Sequence, residues 1–343
     1  MLNNNPSYRF YNFETLWKYF PLRRSTKEEL KYFLFTCFPF FFKRWGIYLN
    51  WKNARVYRNK NLGISQVEFW KRKIFNSYPI QISSSGSVSA GKKYKKVAVV
   101  IHVFYTSIFD EILELLSQDH DAELTLYLTG PQNILDKYKH LVPGGIQGVK
   151  FLSTDNHGRD ILPFLKILPR VFADGHDLVL KLHTKGSNHL NRRNHWRNDL
   201  FSKLIGKGSI DAAVSIFNAN PDIGIIGPSK NILSMQNYYG SNAEIVKELS
   251  NRMQVADDKL NDLNFVAGSM FYARKEVLVP ILNLGLSDND FEIEEGQKDG
   301  TLAHAVERLF AVGAISAGLQ LVDTNYNPKN PVLMVNKNHY FSS

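Results

Sequence analysis

The chain has 343 residues, of which 44% are hydrophobic and 22% are charged, so it is long enough for one large or two modest domains with well-formed cores. Its single cysteine, Cys37, excludes an intramolecular disulfide framework and favours a reducing compartment. The excess positive charge lies entirely in the N-terminal region, because residues 1–96 carry 19 basic and 4 acidic side chains, whereas the remainder is acidic overall.

Residues 1–80 combine this positive charge with many aromatic side chains, and we predict a helical region. The longest apolar run, Tyr32 to Phe42, is about half the length of a membrane-spanning helix and is interrupted by Pro39. Interleaved aromatic and basic residues are typical of segments that lie on an anionic membrane surface. The alternatives are packing on the following domain or on a second copy, and binding of single-stranded nucleic acid. No nucleic-acid partner is expected, because no RNA-binding motif is present.

A Ser/Gly-rich stretch over residues 81–96 indicates a flexible linker. It precedes a predicted domain over residues 97–330 and a C-terminal tail over residues 331–343. The run KVAVVIHVF is typical of a strand buried on both faces of a parallel sheet. Strands are predicted at 96–104, 122–130, 148–156 and 177–185, and helical patterns separate them. This alternation predicts an α/β fold with a doubly wound, mostly parallel sheet and helices on both faces.

The fourth predicted strand ends in cations. Period-two alternation places Lys181, His183 and Lys185 on one side of it. Ligands of such sheets bind beyond the carboxyl ends of the strands, where these side chains would suit an anionic group such as a pyrophosphate. The alternative is that the lysines at the end of the strand are only solvated.

The loop after the third strand ends at the same edge of the sheet. It contains Asn156, Gly158, Arg159 and Asp160, and Asp160 stands where a helix N-cap is expected. We predict that these residues help to bind a nucleotide. The alternative is an Arg159–Asp160 pair that only braces the loop.

Two further segments contain polar groups of interest. FVAGSMFYARKEVL predicts a strand over residues 265–273 that contains Gly268, either as a core strand with a glycine bulge or as a wall of the site. In FEIEEGQKDGTLAHAVERLF, Glu295 and Asp299 precede an amphipathic helix. His304, Glu307 and Arg308 lie within one turn of one another, so their side chains can meet.

Four motifs occur in order at compatible spacings: NHGRDILPFL, LVLKLHTKGS, FVAGSMFYARKEVL and EEGQKDGTLAHAVERLF. They resemble the rhamnan synthesis protein F family, bacterial glycosyltransferases that build rhamnose-containing cell-surface polysaccharides such as those of lipopolysaccharide O-antigen and the cell wall. The resemblance covers residues 95–325 and leaves out the N-terminal 90 residues. It implies a GT-A-like fold, a dTDP- or GDP-linked sugar donor, inversion at the anomeric carbon, and a glycan or lipid-linked acceptor.

Together with the basic and aromatic composition of residues 1–80, this resemblance leads us to expect a cytoplasmic protein, peripheral to the inner face of the cell membrane through residues 1–80, that works beside other polysaccharide-assembly enzymes. Inversion requires a carboxylate that takes the proton of the acceptor hydroxyl. GT-A enzymes place this base just before a helix, which implies Asp299 first and Glu295 second, with His304 beside them. Asp299 as a simple helix cap is the alternative. A small residue such as Gly268 would give room to the sugar.

GT-A enzymes usually hold Mg²⁺ or Mn²⁺ through an Asp-x-Asp motif at the end of a strand. LKLHTK occupies that place here, and DND at residues 288–290 is typical of a turn. We therefore predict that no metal is required and that Lys181, His183 and Lys185 stabilise the departing diphosphate. A supporting Mg²⁺ or Mn²⁺ stays an open alternative.

Two other functions stay open at this point. The chain could be a non-catalytic glycan-binding or scaffold subunit of a polysaccharide-assembly complex, or a transferase for a different sugar. A scaffold should tolerate Asp299→Asn and Lys181→Ala, whereas an enzyme should lose turnover.

Overall fold

The structure is a computed structural model that describes residues 30, 33–35, 37–42, 93–141, 144–184, 192–260, 262–294, 297, 299–331, 333 and 335. The predictions for residues 1–80 and for the 81–96 linker therefore fall mostly outside the described residues. The predicted site residues Lys185 and Glu295 also lie outside them.

Strands of the described part form one large sheet and one small one. They are β1 (Lys96–His102), β2 (Glu123–Gly130), β3 (Ile146–Ser153), β4 (Leu178–His183), β5 (Ile223–Gly227), β6 (Ile232–Ser234), β7 (Asn264–Val266), β8 (Phe271–Arg274) and β9 (Gln320–Asp323). The large sheet has the order β3-β2-β1-β4-β8-β5-β9, and β6 pairs with β7 in the small sheet. Only β8 runs against its neighbours in the large sheet. This mostly parallel, GT-A-like architecture confirms the predicted fold class.

Helices cover both faces of the large sheet. They are α1 (Thr106–Leu116), α2 (Gln132–Leu135), α3 (Ile161–Ala173), α4 (Arg192–Ile205), α5 (Ser209–Ala219), α6 (Met235–Tyr238), α7 (Ala243–Arg252), α8 (Asp257–Leu260), α9 (Lys275–Leu282) and α10 (Leu302–Ser316). The apolar sides of α1, α4 and α5 pack on one face, whereas those of α3, α7, α9 and α10 pack on the other. Each face therefore has its own hydrophobic core, as period-two alternation of buried strands requires.

The alternation predicted for the fourth strand is confirmed. Leu178, Leu180 and Leu182 of β4 belong to the core under α4 and α5, while Val179 belongs to the opposite core. Lys181 lies on the same side as Val179 and is only 1% exposed. A charged side chain is therefore placed inside the layer between the sheet and the second set of helices.

The structure differs from the sequence-based prediction over residues 265–273. Instead of one strand there are two, β7 and β8, which belong to different sheets. Gly268 and Ser269 separate them with φ angles of +86° and +56°. Left-handed backbone at two successive residues cannot continue a strand, so the segment turns sharply here.

The described residues of the N-terminal region expose several phenylalanine rings. Phe40 and Phe41, in the short helix Pro39–Phe42, are 71% and 70% exposed. No helix among the described residues combines the length and the apolar character needed to cross a membrane.

Candidate active site

The carboxyl ends of β1, β2 and β4 meet at one edge of the sheet. His102 is in register with Thr129 on one side and with His183 on the other. The His102 Nδ1 and Thr129 Oγ1 atoms are 3.1 Å apart. Burial lowers the pKa of His102 to about 4; His183 and Lys181 add to this effect, and Asp160 opposes it. The His102 ring is therefore neutral at pH 7.

Thr184, the first residue after β4, fixes the loop that follows β1. Its Oγ1 atom accepts hydrogen bonds from the backbone N–H groups of Phe104, at 2.7 Å, and Tyr105, at 3.0 Å. Its own N–H donates to the His102 carbonyl at 3.0 Å. The ends of β1 and β4 are thereby held together at the edge where a nucleotide is expected.

The sequence predicts that Lys181 points to the ligand-binding edge of the sheet. In the structure, Lys181 instead lies in the interior. Its Nζ atom donates to Asp160 Oδ2 at 2.5 Å and to the Ser269 carbonyl at 2.9 Å, and it lies 5.3 Å from the centre of the Phe164 ring. A buried ammonium requires such partners because burial without them is very costly. The predicted pyrophosphate contact of Lys181 is therefore replaced here by a buried ion pair.

Asp160 also differs from its predicted role. It occupies the N-cap position of α3 but makes no side-chain capping bond, because its carboxylate points to Lys181. The alternative of an Arg159–Asp160 pair that only braces the loop does not describe the observed contacts, because Arg159 is paired with Glu294 and Asp160 is paired with Lys181. Gly158 precedes them with φ +63°, and a side chain there would come within 2.4 Å of Leu162. Asn156 is exposed in the same loop.

Arg159 connects the loop after β3 to α10 and to the segment before it. Its Nη1 atom lies 2.8 Å from His304 Nε2, its Nε atom lies 3.4 Å from Glu294, and its Nη2 atom donates to the Gln297 carbonyl. The His304 Nδ1 atom lies 2.7 Å from Thr301 Oγ1 and 3.3 Å from the Thr301 backbone nitrogen. His304 therefore connects the loop after β3 with the start of α10, and its catalytic role stays a prediction.

The Gly268–Ser269 turn between β7 and β8 is held by side chains from two other elements. His183 Nε2 donates to the Gly268 carbonyl at 2.8 Å, and Glu307 Oε1 accepts from the Gly268 N–H at 2.7 Å. Trp196 lies against the turn, because a Cβ atom at Gly268 would be 3.2 Å from its ring. Strained backbone of this kind persists where the surroundings hold it from several sides.

Asp299 receives hydrogen bonds from a segment distant in sequence. Its Oδ1 atom accepts from Asn242 Nδ2 at 2.5 Å, and its Oδ2 atom accepts from the Ser241 N–H at 2.9 Å. The helix cap of α10 is Thr301, so the alternative of Asp299 as a simple cap is wrong. About a third of its side chain is exposed, at 34%, so the carboxylate is within reach of a ligand.

Charged and polar neighbours keep the Asp299 carboxylate ionised. Burial alone would raise its pKa, but Arg308, His304 and the hydrogen bonds from Ser241 and Asn242 outweigh burial and hold the pKa below its usual range. The group is therefore a carboxylate at pH 7, as a proton acceptor must be.

Several residues of the site carry little or no signal in the sequence. Helical spacing did place Glu307 and Arg308 beside His304, which was a usable signal. No local pattern pointed to Ser241 and Asn242, because 57 or more residues separate them from Asp299.

The donor set at the end of β4 does not fit Mg²⁺ or Mn²⁺. Both ions prefer carboxylate and carbonyl oxygens, but Lys181, His183 and Thr184 stand there, and the nearby Asp160 is paired with Lys181. Within the described ranges, no group of three or more His, Cys, Asp or Glu side chains is arranged around a common metal position.

Comparison with known proteins matches residues 67–318 to the family described as rhamnan synthesis protein F. The match starts before residue 95, so the prediction that the N-terminal 90 residues lie outside the resemblance is wrong for residues 67–90. Two relatives are called "Uncharacterized protein WxcX", from strains B100 and ATCC 33913 of Xanthomonas campestris pv. campestris. Each is 36% identical over 220 residues, or 64% of this chain. The chain spans only about a third of each relative, 31% of its length.

Proposed function

The chain belongs to the rhamnan synthesis protein F family, and on this premise we propose that it is a glycosyltransferase. It moves a sugar, which we propose is rhamnose, from a nucleotide donor to a growing cell-surface polysaccharide or lipid-linked glycan. The observation that carries the proposal is the ionised, partly exposed Asp299 carboxylate. Asp299 lies just before α10. This helix also contacts the loop after β3, through His304, and the Gly268–Ser269 turn, through Glu307.

In the proposed reaction, Asp299 acts as the general base. It takes the proton of an acceptor hydroxyl while the hydroxyl oxygen forms a bond to the anomeric carbon of the donor sugar. The bond from that carbon to the diphosphate oxygen breaks on the opposite face, and the nucleoside diphosphate leaves with the electron pair. The anomeric configuration is thereby inverted.

We propose that the diphosphate is bound without a metal ion. The buried pair of Lys181 and Asp160 has no net charge, so the positive charge must come from elsewhere. Lys185, two residues beyond the end of β4 in sequence, takes the role that was predicted for Lys181. His183 and the loop containing Asn156 and Gly158 complete the proposed donor site.

A thermal-shift series with the diphosphates dTDP, GDP and UDP tests this donor site. We expect one nucleotide to raise the melting temperature, because a ligand that binds only the folded state stabilises it by mass action, and we expect the shift to survive EDTA. ADP serves as the control nucleotide. Loss of the shift on chelation would contradict binding without a metal, and the absence of a shift with every nucleotide would contradict the donor site.

We further propose that the N-terminal region places the protein on the inner face of the cell membrane. The exposed rings of Phe40 and Phe41 and the basic charge of residues 1–96 support a contact with anionic lipid. Phe40→Ser/Phe41→Ser is expected to lower partitioning of the full chain to anionic vesicles by about tenfold or more, because each buried phenylalanine contributes on the order of 1.5–3 kcal/mol.

Ile293→Ser is the matched control for this experiment, because Ile293 is also an exposed apolar residue, at 63%, but lies in another part of the chain. Sedimentation with vesicles of phosphatidylglycerol and phosphatidylcholine measures the partitioning. Equal partitioning of the double variant and the control would contradict the membrane contact.

A further inference from the structure

Arg308 lies between two carboxylates of the candidate site. Its Nη2 atom is 3.9 Å from Asp299 Oδ1 and its Nη1 atom is 3.5 Å from Glu307 Oε2. The guanidinium is largely buried and lies 5.0 Å from the centre of the Phe265 ring. A cation in this position interacts with both carboxylates through surroundings that screen charge less than water does.

Arg308 also acts on Asp299 through the backbone. Its Nε and Nη2 atoms donate to the Tyr238 carbonyl at 3.1 and 2.8 Å. The chain continues from Tyr238 directly to Ser241 and Asn242, which donate the two hydrogen bonds to Asp299. One guanidinium thus contacts the carboxylate and also fixes the segment that binds it.

Through Glu307, the same arginine is connected to the turn before β8. Glu307 accepts the Gly268 N–H, and the carbonyls of this turn accept from Lys181 and His183 of β4. A continuous series of polar contacts therefore runs from the end of β4 to the Asp299 carboxylate, and Arg308 is the member that contacts Asp299.

We propose that Arg308 is a positioning residue that holds the Asp299 carboxylate in place and ties it, through Glu307, to the Gly268 turn at the end of the sheet. The proposal rests on the proposed function only in taking Asp299 as the base. Arg308 contacts no substrate in this scheme. It keeps the base ionised and at a constant distance from the donor side of the site.

The charged groups around Asp299 define the expected pH effect. On α10 these are Arg308 and His304, with Glu307 on the far side of Arg308. In the preceding segment Glu294 is paired with Arg159, and residues 238–242 contribute Tyr238 and Tyr239 as their titratable groups. Arg308 lowers the pKa of Asp299. Its loss must therefore raise that pKa, so that activity is lost at a higher pH on the acid side.

The contact itself is tested by a double-mutant cycle that needs no substrate. Arg308→Gln, Asp299→Asn and the double variant are unfolded in urea at pH 7. If the two groups are coupled, the double variant shifts the midpoint by less than the sum of the single shifts. Arg252→Gln combined with Asp299→Asn is the matched control, because Arg252 also donates to a backbone carbonyl, that of Leu284, but is not in contact with Asp299. Additive shifts for Arg308 and Asp299 would overturn the proposal.

The positioning role is tested by the pH dependence of kcat/KM with dTDP-rhamnose, or with the GDP- or UDP-sugar that supports turnover. For Arg308→Gln we expect the acid limb to move up by about one pH unit and kcat to fall about tenfold or more with little change in KM. Arg308→Lys keeps the positive charge and should restore part of kcat and reverse part of the shift in the acid limb. Such a partial rescue would show that the effects of Arg308→Gln do not come from a folding defect. Arg252→Gln should leave the profile unchanged.

An acid limb that stays in place in Arg308→Gln would overturn the positioning role. The proposed function fails separately: if the wild-type protein turns over none of these donors, the base assignment falls, and the double-mutant cycle alone decides whether Arg308 holds Asp299.

Discussion

Asp299→Asn is expected to lower turnover by about 10²- to 10⁴-fold, the range typical of losing a general base, while the protein still folds. The amide has nearly the shape of the carboxylate and its oxygen can still accept from the Ser241 N–H, but its NH₂ group cannot accept from Asn242 and the amide cannot take a proton from the acceptor. Because the base acts in the chemical step, we expect the loss in kcat and little change in binding of the nucleotide diphosphate.

Asp288→Asn is the matched control for this experiment. Asp288 is also a carboxylate in the region before α10, but it is 57% exposed and paired with Lys166 on the outer surface. Release of the nucleoside diphosphate is measured for both variants, and far-ultraviolet circular dichroism reports the fold. Full turnover in Asp299→Asn would remove the carboxylate from the chemistry. Loss of turnover in both variants would show that the effect is not specific to Asp299.

Lys181→Met is expected to lower the free energy of unfolding by about 3–5 kcal/mol, because it leaves the buried Asp160 carboxylate without its cation. The ammonium is almost completely enclosed, and its two hydrogen bonds connect the start of α3 with the turn before β8. Removing it should therefore destabilise two elements at once. Urea unfolding followed by fluorescence or circular dichroism measures the effect.

The double variant Lys181→Met/Asp160→Leu shows whether the lower free energy of unfolding comes from the unpaired Asp160 carboxylate or from lost packing. Because it removes both buried charges and fills the space with apolar atoms, it should recover a large part of the lost stability. A Lys181→Met variant with wild-type stability that no longer binds the diphosphate would contradict this account. It would support instead the pyrophosphate contact that was predicted from sequence.

The position of Lys181 changes where positive charge for the leaving group must be sought. A strand end with three alternating basic residues predicts a ligand-binding edge, but the first of them, Lys181, points into the core beneath α3. The carboxylate that neutralises it also leaves no acidic ligand for a metal at this place among the described residues. The buried pair of Lys181 and Asp160 therefore removes one candidate cation for the leaving diphosphate and one candidate carboxylate ligand for a metal ion.

The alternation of strands and helices and the opposite orientation of neighbouring side chains on β4 could be predicted from the sequence. These features depend on local periodicity, and burial on both faces of a strand leaves a direct signature in its residues. The order of the four central motifs likewise predicted which loops would stand at the carboxyl edge. The doubly wound, mostly parallel sheet was therefore predictable from local patterns, whereas its GT-A-like character was implied only by the resemblance to the family.

The partners of the charged side chains were decided only by the tertiary structure. Lys181 pairs with Asp160, 21 residues away in sequence. Asn242 contacts Asp299 at a separation of 57 residues, and Arg159 contacts His304 at a separation of 145. Which charge is neutralised depends on which elements the order of the sheet brings together. The sheet places β8 beside β4, although 87 residues separate Lys181 of β4 from Gly268 in the turn before β8. A residue's type and local spacing contain no information about such neighbours. The tertiary structure therefore pairs Lys181 with Asp160 in the interior, where the local pattern predicts a ligand-binding edge, while the predicted fold is confirmed.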